Sequence, residues 1–177
     1  MQHVDYVELF RDLAARHVDV LHTARKSHFA RITLSSDPMF PMPQQIEEFL
    51  SGLSHKLLSP LLLLSSYDVD FDDSLSDSIA QNLIGRLIIL EDVNVRDFNA
   101  EEAIYQRTAE TGLDMLSEVY RELSDDPRQG TLDWNQVGSE KIRFTASRRN
   151  LAGTGYSFAI RETYTNLNRS AKFNPPA

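Results

Sequence analysis

The stretch LLLLSSYDVDF (residues 61–71), followed after the turn-forming DDSLSD (72–77) by IAQNLIGRLIILEDV (79–93), decides the fold. The first run opens with four consecutive leucines, as a strand buried on both faces does. It then passes into strict alternation, Val69 and Phe71 on one side against Asp68, Asp70 and Asp72 on the other. The second run is rich in Ile and Leu and is placed to fold back on the first as an antiparallel partner. Two longer neighbouring strands are therefore expected.

Working outward towards the N-terminus, Asp5 and Glu8 match an N-cap with a carboxylate three residues later. Tyr6, Leu9, Phe10, Leu13, Ala14, His17, Val20 and Leu21 recur at helical spacing, which predicts a helix from Tyr6 to about Ala24. The segment His28 to Leu34 alternates like a half-buried strand. Three prolines within 35–43 require an irregular stretch. Pro43 then opens a second helix with the stripe Ile46, Phe49, Leu50, Leu53 and Leu57.

Working outward towards the C-terminus, Asn99 with Glu102 predicts the start of a third helix. Tyr105, Ala109, Gly112, Leu113, Leu116, Val119, Tyr120 and Leu123 carry it to about Ser124. A closing hairpin is expected from Lys141 to Ser147 and Tyr156 to Tyr164, with RRNLAGTG (148–155) supplying the turn. The first hairpin strand points Ile142, Phe144 and Ala146 inward and Lys141, Arg143 and Thr145 outward. Tyr156, Phe158 and Ile160 form the core face of the second. The order α-β-α-β-β-α-β-β predicts a single α+β domain with a mainly antiparallel sheet and about three helices. It covers residues 1–165, and 166–177 form a flexible or partner-ordered tail.

The 177 residues suit one domain. With 41% hydrophobic and 25% charged residues, the composition is that of an ordinary globular protein. There is no Cys, which excludes disulfides, thiolate nucleophiles and Cys-ligated metal centres. The N-terminus lacks the layout of a signal peptide, and the apolar run 57–64 is too short for a bilayer, so a cytoplasmic protein with no membrane partner is expected. The formal charge of −8 is unevenly placed. Residues 32–137 carry six basic and twenty acidic side chains, while 138–177 carry seven basic (Lys141, Arg143, Arg148, Arg149, Arg161, Arg169, Lys172) and two acidic. An acidic middle and a basic end are unlike surfaces that attract each other, within one molecule or between copies. The acidic total argues against nucleic acid as a partner.

Asp68, Asp70, Asp72, Asp73 and Asp77 resemble the first half of a calcium loop, but Asp73 stands where Gly is needed and Ile79 where Glu is needed. Spacing by two arises on the solvent face of any strand, so no metal is assigned. His17 and His22 are five apart, which separates them around a helix, and His17 falls on the apolar stripe as a partly buried residue. Neither a nucleophile elbow nor a phosphate-binding glycine loop is found. No catalytic residue and no cofactor is expected, and the chain reads as a non-enzyme.

The opening that ends in HFARITL (28–34), the strand pair around LLLLSSYDVDF and NLIGRLIILED, the helix NAEEAIYQRTAETGLDMLSEVYRELS (99–124) and the closing DWNQVGSEKIRF (133–144) with NLAGTGYSFAIRETY (150–164) together carry a resemblance. As a pattern over nearly the whole chain, the layout resembles the tail terminator or tail-completion proteins of contractile phages and tail-like particles. That resemblance implies a non-catalytic structural subunit, a homo-oligomeric ring, commonly a hexamer, that docks on a tube with other particle proteins. Closed rings need heterologous contacts. The residues expected at them are Lys141, Arg143, Arg148, Arg149 and Arg161 on one surface, against Asp68, Asp70 and Asp72 or the third helix of a neighbour. Two other readings are an intracellular protein-binding adaptor or regulator, and a metal-dependent enzyme using the Asp68 to Asp77 carboxylates.

Overall fold

The computed structural model describes residues 3–35, 41–52, 57–72, 79–94, 97–125, 130–146 and 149–164. The elements are α1 (His3–Arg16), β1 (Phe29–Ile32), α2 (Met42–Gly52), β2 (Leu61–Ser65), β3 (Asp68–Asp72), β4 (Ile79–Asp92), α3 (Phe98–Asp125), β5 (Thr131–Leu132), a 3-10 turn at Trp134–Gln136, β6 (Gly138–Ala146) and β7 (Arg149–Tyr164). This is an α+β architecture, as expected. The seven-stranded sheet runs β1-β2-β4-β7-β5, with β3 also pairing β4 and β6 also pairing β7.

β4 and β7, 14 and 16 residues long, form the spine of the sheet, antiparallel from Ile79↔Tyr164 to Asp92↔Leu151. One sheet face carries Leu62, Leu64, Leu83, Leu87, Ile89, Tyr156, Phe158 and Ile160, packed under Tyr6, Phe10 and Leu13 of α1 and Met115, Leu116 and Val119 of α3. The other carries Leu61, Leu63, Ile88, Leu90 and Ile142 against Ile46 and Leu50 of α2. Because helices cover both faces, every side chain of the 61–64 leucine run is fully buried.

Several expectations are corrected. The first helix ends at Arg16 instead of about Ala24. Leu21 lies in the left-handed region at φ 48, and the His22 N–H turns back to the Ala14 carbonyl at 2.9 Å. The third helix is capped two residues earlier than Asn99, by Asp97, whose Oδ1 accepts the Ala100 N–H at 3.0 Å. The strand after α1 pairs with β2 in parallel, so the sheet contains one βαβ crossover through α2.

The closing hairpin also differs. Residues 149–155 belong to β7 and not to a turn, and Gly153 and Gly155 are strand residues. A Cβ at Gly153 would lie 1.9 Å from the Ile89 carbonyl oxygen, so this glycine answers a close approach of backbones.

The expected single strand 61–71 is two strands. Leu64 pairs with Leu87 but Asp68 pairs with Ile84, so four steps along one chain match three along the other, a one-residue bulge. Two bonds meet at it: the Ser65 hydroxyl accepts the Arg86 N–H at 2.8 Å, and the Tyr6 hydroxyl donates to the Ser65 carbonyl at 3.2 Å. Val69 and Phe71, on the side opposite the aspartates as the alternation predicts, are 44% and 65% exposed.

Candidate interaction surfaces

The basic hairpin lies against α3 and the end of β4 of its own chain. Lys141 and Arg143 pair in register with Thr154 and Ala152, and the Thr154 hydroxyl meets that of Thr108 on α3 at 3.0 Å. Both basic side chains therefore rise beside the first turn of α3. Lys141 Nζ lies 3.0 Å from Glu102 and 4.7 Å from the Tyr105 ring centroid. Arg143 reaches Glu101 at 2.9 Å; that carboxylate is only 9% exposed and also accepts the Tyr105 hydroxyl at 3.1 Å. A carboxylate in the first helical turn complements the helix dipole, so Glu101 suits this position before any base reaches it. Burial, followed by the Glu101 contact, pushes the Tyr105 phenol above its ordinary range.

Arg149 makes a two-pronged contact with Asp92, 2.7 Å on each side, and donates to the Leu57 carbonyl at 3.0 Å. The hydrogen bond to Asp92 raises the affinity of Arg149 for its proton. Lys141, Arg143 and Arg149 thus have carboxylate partners within the chain. Arg161 lies in one cross-strand row with Asn82 and Asp70. Asn82 Oδ1 in the middle of that row is buried without a hydrogen-bond partner. Arg148 lies outside the described residues, as do Asp73, Asp77, His55 and 166–177.

On the acidic side, Asp68, Val69, Asp70 and Phe71 are all exposed, so β3 projects as an arm with solvent on both faces. Asp72 continues the arm in register with Ala80. Among the described residues no strand pairs with its outer edge, and no group of three or more His, Cys, Asp or Glu is placed to hold a metal ion. The sequence signalled the charge of this arm but not its isolation.

A second ionic network joins α1 to α3. Arg16 contacts Asp12, Glu118 and Glu122, and Arg121 also contacts Glu118. The hydrogen bond from Arg121 holds the Glu118 carboxyl below its ordinary range. A shallow cleft of about 310 Å³ beside this network is lined by Leu13, His17, Val18 and Asp114, among others. His17 Nδ1 accepts the Asp19 N–H at 3.2 Å, and its Nε2 stands 3.7 Å from Asp114. His22 Nδ1 accepts the His28 N–H, and His28 Nδ1 donates to the Pro60 carbonyl at 3.0 Å. Burial, with Arg11 and His28 nearby, lowers the His22 pKa. His22 and His28 thus serve the backbone around the β1 entry, and His17 the turn that follows α1.

On the α2 face, two clefts of about 140 and 240 Å³ meet at Arg86. Ser65, Ser66 and Asp68 line the first, and Gly138, Glu140 and Ser157 the second. No described helix is long and apolar enough to cross a membrane. No protein-family model matches the chain, and no curated protein matches it.

Proposed function

We propose that the protein is a non-catalytic structural subunit that assembles with copies of itself, as a ring in a phage tail or tail-like particle, through heterologous contacts. The observation that carries this reading is the β3 arm. A monomer gains nothing from a strand whose outer edge is unpaired among the described residues and which exposes Val69 and Phe71 between aspartates, whereas a subunit that must meet a neighbour does. The particle assignment rests on the layout resemblance set out above.

Lys141, Arg143 and Arg149, expected to meet a neighbour's acidic surface, are engaged with Glu102, Glu101 and Asp92 of their own chain. In this proposal they hold the hairpin in place, and the acidic arm is the surface presented to the next subunit. Sedimentation of the full chain over a range of concentrations, at low and high salt, tests the reading. It predicts ring-sized particles at low salt that weaken as salt screens the contact. A monomer under every condition contradicts it.

A further inference from the structure

We propose that the outer edge of β3 accepts, as an added strand, residues 165–177 of a second copy. This deepens the assembly reading above and rests on it.

The acceptor is built for such an addition. β3 offers five residues of backbone whose outer edge is unpaired among the described residues. Added strands gain main-chain hydrogen bonds from an edge, and take specificity from side chains at alternate positions. Of the usual protections of an edge, DVDFD has charge but no Lys, Pro or internal bulge, so its aspartates repel acidic strands and leave the edge open to a basic one. The Asp residues set the choice of partner. Two β3 arms laid together would oppose carboxylates, which disfavours self-pairing, and a strand bearing cations is favoured. Val69 and Phe71 add exposed apolar surface that a partner strand would cover.

The donor is matched in chemistry and reach. Residues 165–177 carry Arg169 and Lys172 and no Asp or Glu; as an added strand, Leu167, Ala171 and Phe173 would share one face with Arg169, beside Val69 and Phe71, and Lys172 would fall on the aspartate face. This 13-residue segment can span roughly 43 Å when extended, against about 17 Å for the five residues of β3. It leaves β7 at Tyr164, which pairs with Ile79 of β4. β4 stands between β7 and β3, so within one copy the segment would have to round the end of β4 to reach the arm. Between copies it need not. Donor segment and acceptor edge are different surfaces of the subunit, which is the heterologous contact that closes a ring.

Charge reversal in the full chain tests the pairing. Asp68→Lys with Asp70→Lys gives a basic edge, and Arg169→Glu with Lys172→Glu gives an acidic donor. Circular dichroism establishes that each variant is folded. Sedimentation at low salt is expected to show association weakened about tenfold or more in either variant alone. Association should return when the two variants are mixed, or when all four substitutions are combined in one chain. If the wild type assembles and both variants assemble equally well, the pairing is wrong while the assembly reading stands. If the wild type is monomeric throughout, both fail. A wild-type monomer whose β3 amides become exposed to exchange only in the Arg169→Glu, Lys172→Glu variant would show pairing within one copy, and would overturn the proposal.

Discussion

The Ser65 hydroxyl accepts the main-chain N–H of Arg86 at 2.8 Å, at the step where the β2–β4 register slips by one residue into β3–β4. This bond lets the bulge exist, because it replaces the ladder partner that the extra residue removes. Ser65→Ala leaves the Arg86 N–H without that acceptor and should cost about 1–3 kcal/mol in denaturant unfolding. A variant as stable as the parent would show that the bulge does not depend on Ser65.

Gly112 sits in the middle of α3, where alanine ordinarily strengthens a helix by about 1 kcal/mol. Here a Cβ would lie 2.2 Å from Cε2 of Tyr156, whose hydroxyl is fixed to the Ala109 carbonyl at 2.7 Å. Overpacking of a core costs about 1–3 kcal/mol. Gly112→Ala is therefore expected to lower the melting temperature, opposite to the propensity effect.

Arg149 is held by two bonds to Asp92 and one to the Leu57 carbonyl. Arg149→Ala should destabilise by about 1–3 kcal/mol. Arg149→Lys should recover little, since an ammonium cannot reproduce the fork. Because these bonds lie within one chain, neither substitution is expected to change the sedimentation of folded protein.

The pH response follows from the tyrosines. Burial pushes the phenols of Tyr6, Tyr67, Tyr105 and Tyr156 above the ordinary value of 10.0. The unfolded chain then releases phenolic protons from about pH 10 upward while the folded chain keeps them. Stability from this source is fully present below pH 10 and falls as pH rises beyond it. Unfolding free energies measured from neutral to alkaline pH should decline there, and Tyr6→Phe should flatten the decline.

The fold was legible where one residue's pattern was enough. Four adjacent leucines announced a strand covered on both faces, and Tyr156, Phe158 and Ile160 announced a core face; all are buried. The bulge was not legible, since it depends on Ser65 meeting Tyr6 and Arg86, 59 and 21 positions away. Val69 and Phe71 followed the expected alternation, yet alternation says only that they share a side, and that side of the arm is solvent-exposed. Gly153 looked like turn chemistry because a glycine required by a close backbone contact has the same letter. The charge segregation was readable, but the partners of Lys141 and Arg143 were fixed by where α3 begins, 39 and 42 residues upstream.

Hydrogen exchange of those amides within Asp68–Asp72 that point away from β4, followed as protein concentration rises at low salt, tests most directly whether the β3 arm is the contact between copies. The account predicts slow exchange in the assembled protein, fast exchange in dilute protein, and a return to fast exchange at high salt. An assembled protein whose β3 amides exchange as fast as those of the dilute chain would contradict it.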